Sequence, residues 1–245
     1  MRLDVYLTEN GLCKSRTAAQ SLINGGGVLV NGITAGKNSQ EVTEADEIAV
    51  IDEKKPKYVG RGGLKLERAL ERWKLDLSGA LCVDIGASTG GFTDCMLQNG
   101  AVKVFAVDVG RGQLDEKLRA DSRVISLEQT DIRDFTLPEE ADFVGADVSF
   151  ISLKLVLPHI HRLLKSGGTA VALIKPQFEA GRDNLNKKGV VRSDSARLKV
   201  VKEIEEFAVR CGFAHIGTEQ SPITGGDGNI EYLLALKKPS EKIHL

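Results

Sequence analysis

Residues 81–94 read L-C-V-D-I-G-A-S-T-G-G-F-T-D and decide the fold of this chain. The apolar run into Asp84 is typical of a buried strand, and a glycine-bearing loop then leads into a helix with Phe92 and Met96 on one side. Small residues let a ligand approach the backbone of such a loop. This strand, loop and helix therefore predict a nucleotide-sized pocket at the carboxyl edge of a parallel sheet.

The glycine spacing distinguishes this loop from a dinucleotide fingerprint. Gly86, Gly90 and Gly91 follow G-x-x-x-G-G, and not the G-x-G-x-x-G that brings a helix N-terminus onto a pyrophosphate. A strand that runs into D-I-G-A-S-T-G-G is instead the pattern of an S-adenosylmethionine loop. Because glycine motifs also occur by chance, a plain strand-loop-helix connection remains the alternative.

The composition is that of an ordinary globular protein of 245 residues, with 42% hydrophobic and 27% charged residues. This length leaves room for one or two domains. The net charge of -1 gives no general attraction for nucleic acid, so an RNA site would need local basic clusters. The four cysteines form no C-x-x-C pair, which favours reduced thiols and a cytoplasmic protein. No apolar run approaches the roughly 18 residues of a membrane span, and no signal peptide is evident.

Residues 1–51 predict a small α+β module. Ser15 is a good N-cap for the second of two short helices, and a glycine triplet would end that helix. Asn31-Gly32 is a strong type I′ hairpin signal, and residues 47–51 form a closing strand. Residues 52–61 then predict a basic linker, which can follow a phosphate backbone or simply join two domains.

Downstream of the linker, strand-like runs alternate with helical patterns over residues 62–245. After the glycine loop, the predicted strands cover residues 103–108, 123–127, 142–147, 169–175, 213–219 and 230–236. The clearest helical patterns cover residues 152–165 and 194–211. This alternation predicts a doubly wound, mostly parallel α/β sheet with helices on both faces.

Acidic residues close three of these strands. Asp84, Asp108 and Asp147 stand at strand ends, which face the ligand crevice of an open α/β sheet. Asp108 follows the glycine loop by about 20 residues, where a carboxylate can bind ribose hydroxyls. Asp131 comes after the next strand and can either accept a hydrogen bond from an adenine amino group or cap a helix.

Two more charged residues flank apolar runs. Lys175 ends one such run, and a partly desolvated lysine can accept a proton. Glu231 stands at the start of the last strand, where a buried glutamate needs a cationic partner such as Lys175 or Lys65. Taken without further information, these residues and Asp147 form either a catalytic cluster or two structural ion pairs.

The N-terminal module resembles the S4 RNA-binding domain through R-L-D-V-Y-L, C-K-S-R-T-A-A-Q-S-L-I-N-G-G-G-V-L-V-N-G and D-E-I-A-V. The resemblance implies an RNA surface centred on Arg2, Lys14, Arg16 and Lys37. Residues 1–60 hold seven lysines and arginines against eight carboxylates, so RNA would be recognised by shape and a local patch. The alternative is an ordinary solvated helical face.

From Gly60 onward the chain resembles the FtsJ-like ribose methyltransferases, and as a whole it resembles the TlyA family of rRNA 2′-O-methyltransferases, some of which are labelled hemolysins. The motifs are R-G-G-L-K-L, D-I-G-A-S-T-G-G-F-T-D, A-D-V-S-F-I-S-L, L-I-K-P-Q-F-E, K-G-V-V-R and G-N-I-E-Y. The resemblance implies a catalytic tetrad of Lys65, Asp147, Lys175 and Glu231. It implies S-adenosyl-L-methionine as cofactor, with contacts from Asp84, Gly86, Ser88, Gly90, Gly91, Phe92, Asp108, Asp131 and Ile132.

The implied reaction transfers a methyl group to ribose 2′-hydroxyls, in cytidines of ribosomal RNA or ribosomal subunits, with no metal and no membrane. Arg61 and Arg192 are expected to contact the RNA. Three other functions remain as alternatives. They are a nucleotide-dependent oxidoreductase with an RNA-binding appendage, a membrane-active hemolysin and a catalytically silent RNA-binding protein.

Overall fold

The computed structural model describes residues 1–13, 15–51 and 56–240, apart from the side chain of Asp227. The chain forms two compact units, Met1–Lys57 and Tyr58–Leu245. Part of the predicted linker, residues 52–55, lies outside the described residues. The domain boundaries expected from the sequence stay predictions.

The first unit combines two helices with a three-stranded antiparallel sheet of order β2-β1-β3. Its elements are α1 (Leu3–Glu9), α2 (Arg16–Asn24), β1 (Val28–Val30), β2 (Ile33–Thr34) and β3 (Ile48–Val50). Ser15 caps α2 by accepting a hydrogen bond from the Ala18 amide at 3.2 Å, as predicted. Asn31 and Gly32 have φ values of 52° and 77°, and positive values at both positions confirm the predicted type I′ turn.

Over residues 58–240, the second unit contains seven strands and six α-helices. The strands are β4 (Leu81–Ile85), β5 (Lys103–Val107), β6 (Val124–Leu127), β7 (Ala141–Ala146), β8 (Leu164–Ile174), β9 (Ala214–Gln220) and β10 (Tyr232–Lys237). The helices are α3 (Gly62–Trp73), α4 (Gly91–Gln98), α5 (Glu116–Arg119), α6 (Leu157–Leu163), α7 (Pro176–Glu179) and α8 (Asp194–Arg210). Short 3-10 turns cover Leu153–Leu155, Arg182–Asn184 and Gly226–Gly228.

The strand order of this sheet is β6-β5-β4-β7-β8-β10-β9. The first five strands run parallel, and β10 pairs antiparallel with both β8 and β9. The predicted mostly parallel α/β sheet is therefore confirmed. Because the strand order runs from β4 to β5 and β6 on one side and to β7 and β8 on the other, the carboxyl ends of β4, β5 and β7 meet at a topological switch point.

Apolar layers cover both faces of the sheet. Val83 of β4 belongs to a buried cluster that also contains residues of α6 and α8, such as Ile160 and Ile204. Cys82, the preceding residue, belongs to a second cluster, which contains residues of α3 and α4 such as Leu66. Successive residues of a strand point to opposite faces, so this sheet is buried on both sides, as the near-continuous apolar strands require.

Element boundaries differ from the prediction in several places. β8 begins at Leu164, five residues before the predicted strand and inside the predicted helix, and β10 begins at Tyr232, so Glu231 lies immediately before it. The predicted helix over residues 152–165 is divided into a 3-10 turn and α6, which ends at Leu163. Pro158 lies in the first turn of α6, where its missing N–H is tolerated, whereas inside one long helix it would remove a hydrogen bond. Within the described parts of the chain, no helix has the length and apolar character needed to cross a membrane.

Candidate active site

The glycine loop between β4 and α4 lies against two other segments of the second unit. Gly86 has a φ of 81°, and a Cβ there would lie 2.9 Å from the backbone oxygen of Asp147. A Cβ on Gly91 would lie 2.9 Å from the backbone nitrogen of Gly63, at the start of α3. Only glycine permits these approaches, which bring the loop, the end of β7 and the first turn of α3 together.

Three cavities open around this junction. One cavity, of about 580 Å³, lies at the ends of β4, β5 and β7, and is called the cofactor cavity after the role predicted for its residues. A second, of about 510 Å³, lies between α3, α7 and the loop before β10, and is called the substrate cavity on the same basis. A smaller connecting cavity of about 200 Å³ lies along the glycine loop, and Gly91 and Phe92 help to line it. Asp147 and Ser149 line all three cavities.

The cofactor cavity combines carboxylates with apolar side chains. Of the residues predicted to bind the cofactor, it is lined by Gly86, Ser88, Asp108, Asp131 and Ile132. The other lining residues include Val107, Val109, Ile151 and Val156. Apolar walls with a few polar groups are typical of sites for small organic ligands, and the volume is that of a nucleoside-sized ligand.

Asp108 and Asp131, two of the three carboxylates that line this cavity, are held by local hydrogen bonds. Asp108 accepts from the backbone amides of Ser88 at 2.8 Å and Gly110 at 2.7 Å, which fixes it beside the glycine loop. Asp131 forms an ion pair with Arg133 at 2.6 Å and also accepts from the Arg133 amide at 2.9 Å. Hydrogen bonds from this side chain lower the pKa of Asp131 to about 2. Asp131 thus stabilises a turn and lines the cavity, while its contact with adenine stays a prediction.

Asp84 and Gly90 lie elsewhere. Neither is among the lining residues of the three cavities. Asp84 was expected at the strand end but lies inside β4, which continues to Ile85, and its side chain is fully buried. It accepts hydrogen bonds from the Thr93 amide at 2.8 Å and hydroxyl at 2.6 Å, and burial raises the pKa of Asp84 to about 7. Asp84 therefore supports the loop and the start of α4 from beneath.

The four predicted tetrad residues form one cluster. The Lys65 Nζ lies 2.6 Å from Glu231 Oε2 and 3.5 Å from Asp147 Oδ2. The Lys175 Nζ lies 2.6 Å from Asp147 Oδ1. Asp147 thus joins the two lysines, and all four side chains are largely buried. Of the two partners expected for Glu231, Lys65 is the one in contact.

Several residues of the site had no predicted role. Ser149 accepts a hydrogen bond from Lys175 Nζ at 2.8 Å and so holds the amine together with Asp147. Phe150 is 91% exposed, has a φ of 64° and stands 5.0 Å from the ring of Phe178 at the cavity mouth. The substrate cavity is also lined by Gln177, Lys188, Thr224, Gly225 and Asn229. Among the described residues, no group of three His, Cys, Asp or Glu side chains could hold a metal ion.

The predicted RNA-binding residues differ in their surroundings. Arg2 and Arg16 both contact the buried carboxylate of Asp4, at 3.0 and 2.9 Å, and these bonds hold the pKa of Asp4 well below its usual range. Lys37 is exposed. Lys14 lies outside the described residues.

In the second unit, Arg61 lines the substrate cavity. Arg192 is exposed, is not among the lining residues, and donates from Nε to the Leu185 carbonyl at 2.8 Å.

Comparison with known proteins gives the family. Residues 58–238 match the family model described as FtsJ-like methyltransferase. The chain belongs to the FtsJ-like methyltransferase family. This member also carries an S4 domain, whose model matches residues 1–48. Both resemblances inferred from the sequence motifs are thereby confirmed.

Relatives of this FtsJ-like methyltransferase match nearly its full length. "Putative rRNA methyltransferase YqxC" of Bacillus subtilis is 46% identical over 98% of this chain and 86% of its own length. "16S/23S rRNA (cytidine-2′-O)-methyltransferase TlyA" of Mycobacterium tuberculosis is 39% identical over 98% of this chain and 91% of its own length. A solved structure, "Putative hemolysin from Streptococcus thermophilus", is similar with a TM-score of 0.75 and 44% identity, covering 99% of this chain and 91% of that one.

Proposed function

We propose that this protein is an S-adenosylmethionine-dependent methyltransferase that modifies ribose 2′-hydroxyls of ribosomal RNA, in cytidines and within ribosomal particles. The observation that carries the proposal is the tetrad. Lys65, Asp147, Lys175 and Glu231 are linked by contacts of 2.6 to 3.5 Å, and Asp147 lines both the cofactor cavity and the substrate cavity. The names of the relatives support the substrate class.

The cofactor cavity fits S-adenosyl-L-methionine. Asp108 would bind the ribose hydroxyls, and Asp131 and Ile132 would hold the adenine, with Val107 and Val109 as apolar neighbours. Bound there, S-adenosyl-L-methionine supplies a methyl group activated by the positive charge on sulfur. Gly86, which lines both the cofactor cavity and the connecting cavity, leaves room for the reactive end to approach the tetrad.

Lys175 is placed to act on the ribose hydroxyl. A hydroxyl is a poor nucleophile, so the protein has to orient it and remove its proton as the new bond forms. Asp147 and Ser149 contact the Lys175 amine at 2.6 and 2.8 Å. These contacts hold the lysine side chain in one rotamer, so the amine is oriented before the hydroxyl binds. The amine donates to the hydroxyl oxygen when charged and takes the proton when neutral. Lys65 holds the other oxygen of Asp147.

The remaining surface features suit an RNA substrate. The S4 unit would bind structured RNA through Arg2, Arg16, Lys37 and Lys14, with Asp4 fixing the two arginines. The exposed Phe150 ring offers an unpaired base a stacking surface at the cavity mouth.

The test is the map of ribose methyl groups in ribosomal RNA from cells with and without this protein, measured by mass spectrometry. We expect specific cytidine 2′-O-methyl groups to disappear with the gene and to return with the wild-type protein. Lys175→Ala should not restore them, although it should still bind ribosomal particles. Lys202→Ala, which changes an exposed lysine of α8, is the control and should restore them. An identical methylation map with and without the protein would overturn the proposal.

Ligand binding, membrane leakage and methylation by one variant separate this function from the alternatives. Isothermal titration with S-adenosylhomocysteine and with NAD should show binding of the former, and a preference for NAD would favour an oxidoreductase. Leakage from liposomes at micromolar protein would favour a membrane-active protein, and we expect none. Methylation that persists unchanged in Lys175→Ala would contradict the role given to this lysine.

A further inference from the structure

The substrate cavity carries more positive than negative charge. Its lining holds four cations and two carboxylates, namely Arg61, Lys65, Lys175 and Lys188 against Asp147 and Glu231. Lys65 and Lys175 are paired with the two carboxylates at distances of 2.6 to 3.5 Å. Arg61 and Lys188 are therefore left as the uncompensated charges of this cavity.

Neither of these two cations is neutralised nearby. Within residues 1–13, 15–51 and 56–240, no described carboxylate lies within ion-pair distance of Arg61 or Lys188. Both residues are exposed, so a ligand can reach them from solvent. Two uncompensated cations beside an electrically balanced tetrad attract an anion to the cavity rim and not to its floor.

A small hairpin presents Lys188 to the cavity. Leu185 and Val191 form an antiparallel bridge. Between them, the Asn186 side chain accepts hydrogen bonds from the Lys188 amide at 2.8 Å and the Val190 amide at 3.0 Å. The backbone of this turn is thus closed on itself, which limits the positions available to Lys188.

Asn229 attaches this hairpin to the loop that leads into Glu231. Its side chain is 6% exposed and donates to the carbonyls of Gly189 at 3.3 Å and Gly226 at 3.2 Å. The hairpin that carries Lys188 and the loop that precedes a tetrad residue are thereby connected through one buried amide. A ligand bound by Lys188 would consequently have a fixed position relative to the tetrad.

We propose that Arg61 and Lys188 form a binding site for the phosphodiester groups on either side of the reacting ribose. This inference rests on the proposed function and specifies how its substrate is held. Every internal ribose of a polynucleotide has a phosphate on each side, and guanidinium and ammonium groups are the side chains that bind phosphate best. Two cations at the rim of a cavity that receives a ribose match that pattern. A free nucleoside, which has no phosphate, should be a poor substrate.

The test compares Lys188→Ala with Lys187→Ala. Lys187 precedes Lys188 on the same turn and is exposed, but is not among the lining residues, so it is a matched control for loss of one positive charge. The substrates are deproteinised ribosomal RNA and intact ribosomal subunits from a strain that lacks this gene, with tritiated S-adenosylmethionine. We expect Lys188→Ala to raise KM with little change in kcat, and Lys188→Arg to retain most of the wild-type kcat/KM.

Salt dependence gives a second readout. The logarithm of the RNA affinity falls linearly with the logarithm of the salt concentration, and each phosphate contact contributes about 0.7 to 0.9 to that slope. For one contact, a tenfold change in salt therefore changes the affinity by about five- to eightfold. The ratio of wild-type to Lys188→Ala affinity should therefore grow by about five- to eightfold from 0.5 M down to 0.05 M salt. Lys187→Ala should show a smaller change, because its lysine lies off the cavity.

The outcomes distinguish this inference from the proposed function. If the wild-type protein methylates neither substrate, the proposed function fails. If the wild type methylates and Lys188→Ala matches Lys187→Ala in KM and in salt dependence, the phosphodiester site is overturned. A raised KM together with a reduced salt exponent for Lys188→Ala, but not for Lys187→Ala, supports it. Arg61→Ala should reproduce that result, and an Arg61→Ala enzyme with wild-type KM would remove Arg61 from the site.

Discussion

The pair formed by Lys65 and Glu231 allows a quantitative test of the tetrad. Their side chains are 9% and 3% exposed, and Nζ lies 2.6 Å from Oε2. Glu231→Gln leaves the Lys65 ammonium buried with only Asp147 as a carboxylate neighbour, at 3.5 Å. Removal of one partner of a buried ion pair costs about 3–5 kcal/mol, and we expect about 3 kcal/mol because Asp147 remains. For a unit of this size, that loss corresponds to a fall in Tm of about 6–12 °C.

The assay is thermal unfolding followed by fluorescence of Trp73, the single tryptophan, which lies in α3 and so reports on the second unit. Glu219→Gln is the control, because Glu219 is 26% exposed and pairs with arginines at the surface. That change should cost less than about 1 kcal/mol. A Tm for Glu231→Gln equal to that of Glu219→Gln would refute the reasoning.

A double variant separates stability from activity. Lys65→Met combined with Glu231→Leu removes both charges, and replacement of a buried pair by apolar residues is often neutral or stabilising. We expect the double variant to recover most of the Tm lost in Glu231→Gln and to remain inactive in methyl transfer. Recovery of activity together with stability would mean that the pair serves only the fold.

Three further changes examine the site. The pKa of Asp84 is raised to about 7 by burial, so the folded state holds this proton more tightly than the unfolded chain and wild-type stability falls as pH rises from about 4 through 7. Asp84→Asn should show a weaker pH dependence of Tm, and identical profiles would contradict the burial argument. Ser149→Ala removes the acceptor 2.8 Å from Lys175 and should slow methyl transfer about tenfold; a wild-type rate would show that Ser149 does not position the amine. Gly225→Ala would place a Cβ against the Glu231 carboxylate and should lower both Tm and rate, whereas at Gly226 a Cβ meets nothing within 4 Å, so equal effects of alanine at the two positions would refute the steric argument.

The sheet and the edge that carries the site could be predicted because their signals are local. Apolar runs bounded by polar residues predicted the carboxyl ends of β7 and β8 to within one residue. In the structure, Asp147 and Lys175 directly follow Ala146 and Ile174, the last residues of these strands. Parallel neighbours then bring those two side chains together. The strand pattern thus predicts that Asp147 and Lys175 lie at one edge of the sheet, whereas their grouping with Lys65 and Glu231 in a tetrad was implied by the family resemblance.

The position of Asp84 was predicted from the glycine motif, although the alternation of β4 indicated a different one. The alternation of β4 places Cys82 and Asp84 on the same face, and Cys82 packs in the cluster formed with α3 and α4. That period indicates a side chain directed at Thr93 beneath the loop, where the structure has it. The glycine motif led instead to the prediction that the Asp84 side chain faces the ligand crevice. That prediction was wrong because β4 continues for one more residue, and successive residues of a strand point to opposite faces.

Contacts between residues distant in sequence could not be predicted from the periodicity of apolar residues. Asp4 accepts hydrogen bonds from Arg16 and from Gln20, and a buried carboxylate among surface arginines has no periodic signature. Ser149 and Asn229 lie in irregular segments, where neither the helical nor the strand period applies. Their roles depend on loops that are fixed only once the sheet has formed.

Asp147 and Ser149 form a common wall of all three cavities. Two ligands that touch the same side chains cannot bind independently. If one ligand changes the affinity of the other by some factor, the second changes the affinity of the first by the same factor. If the cofactor product and the methylated RNA occupy these cavities as proposed, each changes the affinity of the other by the same factor. Product inhibition by S-adenosylhomocysteine would then depend on whether methylated RNA is still bound.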